Sequence, residues 1–138
     1  MKSIKSYLVP LAAILLLTAC TRKMNFSHSD IVPAAQGTVK VKKDKNGNYA
    51  LNIRLMHLAQ PQQLRPPGNV YVVWMETPEN RNQNLGQLKS SSNFLNRALS
   101  ASLQTVTTFE PRRIFITAED NASISYPRGR EVLSTSSY

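Results

Sequence analysis

An all-β sandwich is the fold class this sequence predicts, on three observations. Several short stretches alternate polar and apolar residues with a period of two, as residues 38–42 and 49–55 do. Turn-forming residues punctuate them at fairly even spacing: Asn46-Gly47, Pro66-Pro67-Gly68, Asp120-Asn121 and Pro127-Arg128-Gly129. Residues 105–109 and 114–117 are rich in the β-branched and aromatic side chains that suit a pleated surface. Short strands separated in this way indicate a sandwich or a barrel, and the sandwich is the expectation here.

The domain is expected over residues 37–134. Residues 38–42 and 49–55 form a hairpin, with Tyr49, Leu51, Ile53 and Leu55 on one face. Asn46-Gly47 between them supplies the positive φ angles of a tight turn. Residues 57–68 hold Pro61, Pro66, Pro67 and Gly68 and read as a loop. Residues 69–76 are nearly continuously apolar, as in a central strand covered on both faces. The single tryptophan, Trp74, lies in that strand and is expected in the core. Residues 77–84 connect to a short strand at 85–89, and 90–93 turn the chain. Residues 94–103 fit two patterns: a helix carrying Phe94, Leu95, Ala98 and Leu99 on one side, or two strands around a turn. Strands are expected at 105–109, 114–119, 124–126 and 130–133, and residues 135–138 read as a frayed tail.

The N-terminus carries Lys2 and Lys5, an apolar stretch over residues 8–19, and then Leu17-Thr18-Ala19-Cys20. A charged start, a short apolar run and small residues at the cut are the order of a secretory signal. A spanning helix needs about 20 apolar residues; this run is shorter and holds Pro10 near its start. The Leu-Thr-Ala-Cys run resembles the lipobox of bacterial lipoproteins. That resemblance implies a diacylglyceryl group on the Cys20 sulfur, cleavage before Cys20, and a place in the cell envelope. Thr21 after the cysteine implies the periplasmic face of the outer membrane under the sorting rule of enteric bacteria. Residues 1–19 are thus expected to be the signal peptide and 20–36 the lipidated cysteine with a flexible tether. Cys20 is the only cysteine, so the domain is expected to do without disulfides.

The 138 residues carry a formal charge of +9, with Lys2 and Lys5 in the leader. Such charge attracts anions, and those an exported lipoprotein meets are lipid headgroups, lipopolysaccharide phosphates and wall polymers. Nucleic acid is not an expected partner. His28 and His57 have no ligand-spaced neighbours, so neither a metal nor any other cofactor is expected. Glu119 and Asp120 are adjacent acids, but neighbours on a strand point to opposite faces and cannot work as an acid–base pair. No glycine-rich phosphate loop or Gly-x-Ser-x-Gly elbow occurs. An enzyme is not the expectation. Glu76, Asn80, Arg81 and Asn82, beside Trp74, form the candidate ligand or partner surface: an aromatic, amides and an arginine suit a glycan.

The order Tyr71-Val72-Val73-Trp74, Leu85-Gly86, Ile116-Thr117-Ala118-Glu119, Pro127-Arg128-Gly129 and Val132-Leu133 resembles the extracytoplasmic domain of anti-sigma-K factors. The resemblance spans roughly residues 37–134. It implies an immunoglobulin-like antiparallel β-sandwich in which Tyr71, Trp74, Gly86, Glu119, Pro127 and Gly129 are core signature residues. Family members carry a sigma-binding segment and a spanning helix before this domain. Neither is seen here, and the glycines that usually follow the glutamate are Asp120-Asn121-Ala122-Ser123. Direct sigma-factor binding is therefore not expected. The expected role is a membrane-anchored, non-enzymatic sensing or protein-interaction module with an envelope protein as partner. The alternative is a binder of anionic envelope polymers or glycans.

Overall fold

The computed structural model describes residues 20–91 and 99–137. The expected leader at 1–19 and residues 94–98 of the ambiguous stretch lie outside them. Among the described residues, nine strands form two antiparallel sheets packed face to face, an immunoglobulin-like sandwich. Sheet 1 has the order β1-β2-β3-β7-β6: β1 is Thr21–Asn25, β2 Gln36–Lys43, β3 Tyr49–Leu58, β6 Lys89–Ser91 and β7 Leu99–Thr107. Sheet 2 has the order β5-β4-β8-β9: β4 is Val70–Glu76, β5 Asn82–Gln87, β8 Arg113–Glu119 and β9 Glu131–Ser134.

The alternation read from the hairpin places its side chains as expected. Val39 and Val41 of β2 and Leu51, Ile53 and Leu55 of β3 are buried between the sheets. From sheet 2 they meet Tyr71, Val73 and Met75 of β4 and Ile114 and Ile116 of β8. β4 is central, between β5 and β8, and both of its faces are buried.

Several expectations need correction. Residues 20–36 are not a free tether. Thr21–Asn25 pair with β2, residue for residue, from Thr21 opposite Lys42 to Asn25 opposite Thr38. Met24, Val32 and Ala35 enter the core, and the Ser29 hydroxyl donates to the Val132 carbonyl at 2.6 Å. The segment gains backbone pairs and apolar burial that no local pattern announces. The tail is likewise tied down at Thr135, which bridges Phe26 and donates its N–H to the Ile114 carbonyl. In the β2–β3 turn only Gly47 has a positive φ, at 80°. The turn runs over residues 44–48, and the Asp44 carboxylate accepts from the N–H groups of Asn46 and Asn48. This is a longer loop organised by an aspartate rather than a two-residue turn. β3 continues to Leu58 through a bulge after Leu55, with His57 at φ 57°. Residues 85–89 are not one strand: the chain leaves sheet 2 at Gln87 and enters sheet 1 at Lys89, with Leu88 buried at the crossing. The second half of the ambiguous stretch, from Leu99, is strand. Residues 124–126 form no strand; they serve as a cover, described next.

Candidate functional site

Tyr71, Trp74, Gly86 and Glu119 lie in strands of sheet 2, and Pro127 and Gly129 lie in the loop between β8 and β9. β4 alternates, so Val72 and Trp74 point away from the sandwich interior, on the outer face that also carries Phe115 of β8. Trp74 is nevertheless fully buried, stacked on Phe115 with ring centroids 6.4 Å apart. The loop between β8 and β9 folds over this face and packs Ala122 and Ile124 against it. Asn84 of β5 holds the loop down: its side-chain amide donates to the carbonyls of Ala122 at 2.8 Å and Ile124 at 2.9 Å.

A chain of hydrogen bonds runs under that cover. The Trp74 indole N–H donates to Thr117 Oγ1 at 2.8 Å, and the Thr117 hydroxyl donates to Glu119 Oε1 at 2.6 Å. The same carboxyl group accepts the backbone N–H of Arg128 at 3.0 Å and that of Gly129 at 2.9 Å. Glu119 thereby ties the Pro127-Arg128-Gly129 turn to the end of β8. Gly129 is required by closeness: a Cβ there would sit 2.0 Å from the Ala118 carbonyl oxygen. Glu119 is buried at the end of β8, while Asp120, the first residue beyond the strand, is exposed. Tyr71, on the other face of β4, donates its hydroxyl to the Ala59 carbonyl at 2.7 Å. Burial pushes the Tyr71 hydroxyl well above the usual tyrosine range, so it keeps its proton at neutral pH. Every group in this network has an internal partner, which makes it a fastener for a loop.

The candidate surface at Glu76, Asn80, Arg81 and Asn82 is divided. Asn80, Arg81 and Asn82 are exposed in the β4–β5 hairpin, with Asn80 at φ 59°. Glu76 is half-buried and faces the Arg113 guanidinium at 4.0 Å, which also pairs with Glu131. Trp74 belongs to the covered layer, in keeping with its expected buried role, and is not part of the exposed surface beside the hairpin. The hairpin lies at the same end of the sandwich as Cys20. Arg112 donates its N–H to the Glu76 carbonyl, and the Arg22 guanidinium donates to the neighbouring Pro111 carbonyl at 2.6 Å. Cys20 is exposed and directly precedes β1.

The outer face of sheet 1 is a feature that reading along the sequence missed. The register builds rows across it: Thr21, Lys42, Ala50, Val106; then Lys23, Lys40, Asn52, Gln104; then Asn25, Thr38, Arg54, Ser102, Lys89. Lys23, Lys40, Lys42, Arg54 and Lys89 are all exposed. The five strands of this sheet contain no Asp or Glu. An open groove of about 1110 Å³ runs over the face, with Asn25, Asn52, Arg54 and Met56 in its lining. A smaller one of about 470 Å³ adjoins it at Thr21, Lys42, Ala50 and Val106. Asn52 Oδ1, between the two, is buried with no hydrogen-bond partner.

Among the described residues no three His, Cys, Asp or Glu side chains gather as a metal site, and no helix is long and apolar enough to cross a membrane. No protein-family model, curated protein or solved structure matches this chain.

Proposed function

We propose that this chain is a lipid-anchored module of the bacterial envelope that works by binding a membrane-associated protein. The observation that carries the reading is the juxtaposition of Cys20 with the exposed β4–β5 hairpin at one end of a rigid sandwich. An acyl group on Cys20 sets that end at the bilayer surface, because β1 begins at the next residue and leaves no slack. Asn80, Arg81 and Asn82 then face whatever stands beside the anchor. The buried polar groups of sheet 2 support a binding role over a catalytic one, since their bonding capacity goes to fastening the loop. In this reading the resemblance to anti-sigma-K extracytoplasmic domains describes the scaffold, and any regulatory signal passes through the partner protein.

Two experiments test this. Cells fed an alkyne fatty acid should label the wild-type chain and leave Cys20→Ser unlabelled. An unlabelled wild type ends the anchor reading. A photo-crosslinking side chain at Asn82 should then capture a recurrent membrane protein in intact cells, whereas recovery of free monomer alone rejects the partner.

A further inference from the structure

We propose that the outer face of sheet 1 lies on the anionic lipid leaflet. The inference extends the anchor reading above, which fixes where the face stands, but its observations are separate.

The first is sign. Five exposed cations from four strands share this face with no acid among its strands. Sheet 2 has one cation in its strands, Arg113, and that one is paired with Glu76 and Glu131. None of the five is in an ion pair among the described residues. The second is the arrangement of Lys23 directly opposite Lys40. Like charges opposed across a strand pair destabilise a sheet, and an anion lying over the pair would offset that cost. The third is composition. Val106 and Met56, 64% and 52% exposed, stand among these cations. Apolar side chains between lysines suit the boundary of headgroups and acyl chains better than a fully hydrated polymer. The fourth is position: Thr21, next to Cys20, begins the row that holds Lys42, Ala50 and Val106. A lipid on Cys20 brings this corner of the face to the headgroups, where each cation is drawn by the negative surface.

The test uses the chain from residue 20, which contains both sheets and every residue of the core, with Cys20→Ser so that no anchor contributes. It should sediment with vesicles of mixed phosphatidylglycerol and phosphatidylcholine, not with phosphatidylcholine alone, and should release as salt is raised. Lys40→Glu with Lys42→Glu should weaken this binding by about tenfold or more. Arg128→Glu with Arg130→Glu, both exposed in the β8–β9 loop, makes the same change in net charge off this face and should have a much smaller effect. Equal losses from the two double variants, or binding indifferent to phosphatidylglycerol, overturn the proposal. Binding to immobilised polyphosphate that is lost on Lys40→Glu with Lys42→Glu, with no sedimentation on phosphatidylglycerol vesicles at the same salt, also overturns it and assigns the face to soluble polyanions. Vesicle binding by a chain that cells never acylate would leave this proposal standing and remove only the anchor.

Discussion

The two outer faces of this sandwich are built from strands of the same kind and meet opposite fates. On sheet 2 the outward positions of β4 and β8 are Val72, Trp74 and Phe115, and the β8–β9 loop closes over them as a third layer. On sheet 1 the outward positions are lysines, an arginine, amides and small residues with Val106 and Met56 among them, and no loop of the described chain closes over them. The difference separates two tasks. Side chains on the covered face hold the protein together, and those on the bare face are free to meet something else. The hydrogen bonds divide in the same way: Trp74, Thr117 and Glu119 form one internally satisfied line, whereas Asn52 of sheet 1 keeps a buried acceptor unpaired.

The largest effect should come from the covered face. Trp74→Ala removes the biggest side chain under the loop, together with the indole bond to Thr117, and should destabilise the domain by about 3–5 kcal/mol in chemical denaturation. A shift below about 1 kcal/mol would mean that the third layer is decoration. Glu119→Ala should follow at about 1–3 kcal/mol, because the N–H groups of Arg128 and Gly129 and the Thr117 hydroxyl lose their acceptor. Its signature is local. Amide exchange should rise over residues 120–130 before the rest of the sandwich opens. Uniform acceleration across both sheets would show that the loop is not a separable layer.

The covered face was the more legible in sequence, and for a physical reason. A strand buried on both sides must be apolar at successive positions, and residues 70–75 announce this locally. The cover itself was not legible. Ala122 and Ile124 are too few apolar residues to register as a layer, and Glu119 at a strand end looks like the start of an ordinary turn. β1 was missed because Met24 is its one buried residue, and its pairing with β2 lies far from it in sequence. The basic face escaped for the same reason. Lys23, Lys40, Arg54 and Lys89 look scattered along the chain, and only strand order and register set them side by side. Local patterning reports which way a side chain points; it does not report which strands lie together. The hairpin candidates Asn80, Arg81 and Asn82 stood between the two cases: their exposure followed from the turn, but their nearness to Cys20 depended on the contact between Arg22 and Pro111.

The smallest effect should have the opposite sign. Lys40→Glu places an acid directly opposite Lys23, turning a repulsive cross-strand pair into an attractive one on a solvated face. Stability in the absence of lipid should rise by about 0.2–1 kcal/mol, read as a higher urea midpoint with an unchanged slope. A loss of similar size would mean that the two lysines do not repel and that their opposition says nothing about a partner. A gain would set the faces apart by mechanism as well as composition. Changes beneath the loop weaken the fold, whereas this change strengthens the fold while weakening vesicle binding. A lysine that costs stability by itself and restores it only against an anionic surface belongs to a contact outside the chain.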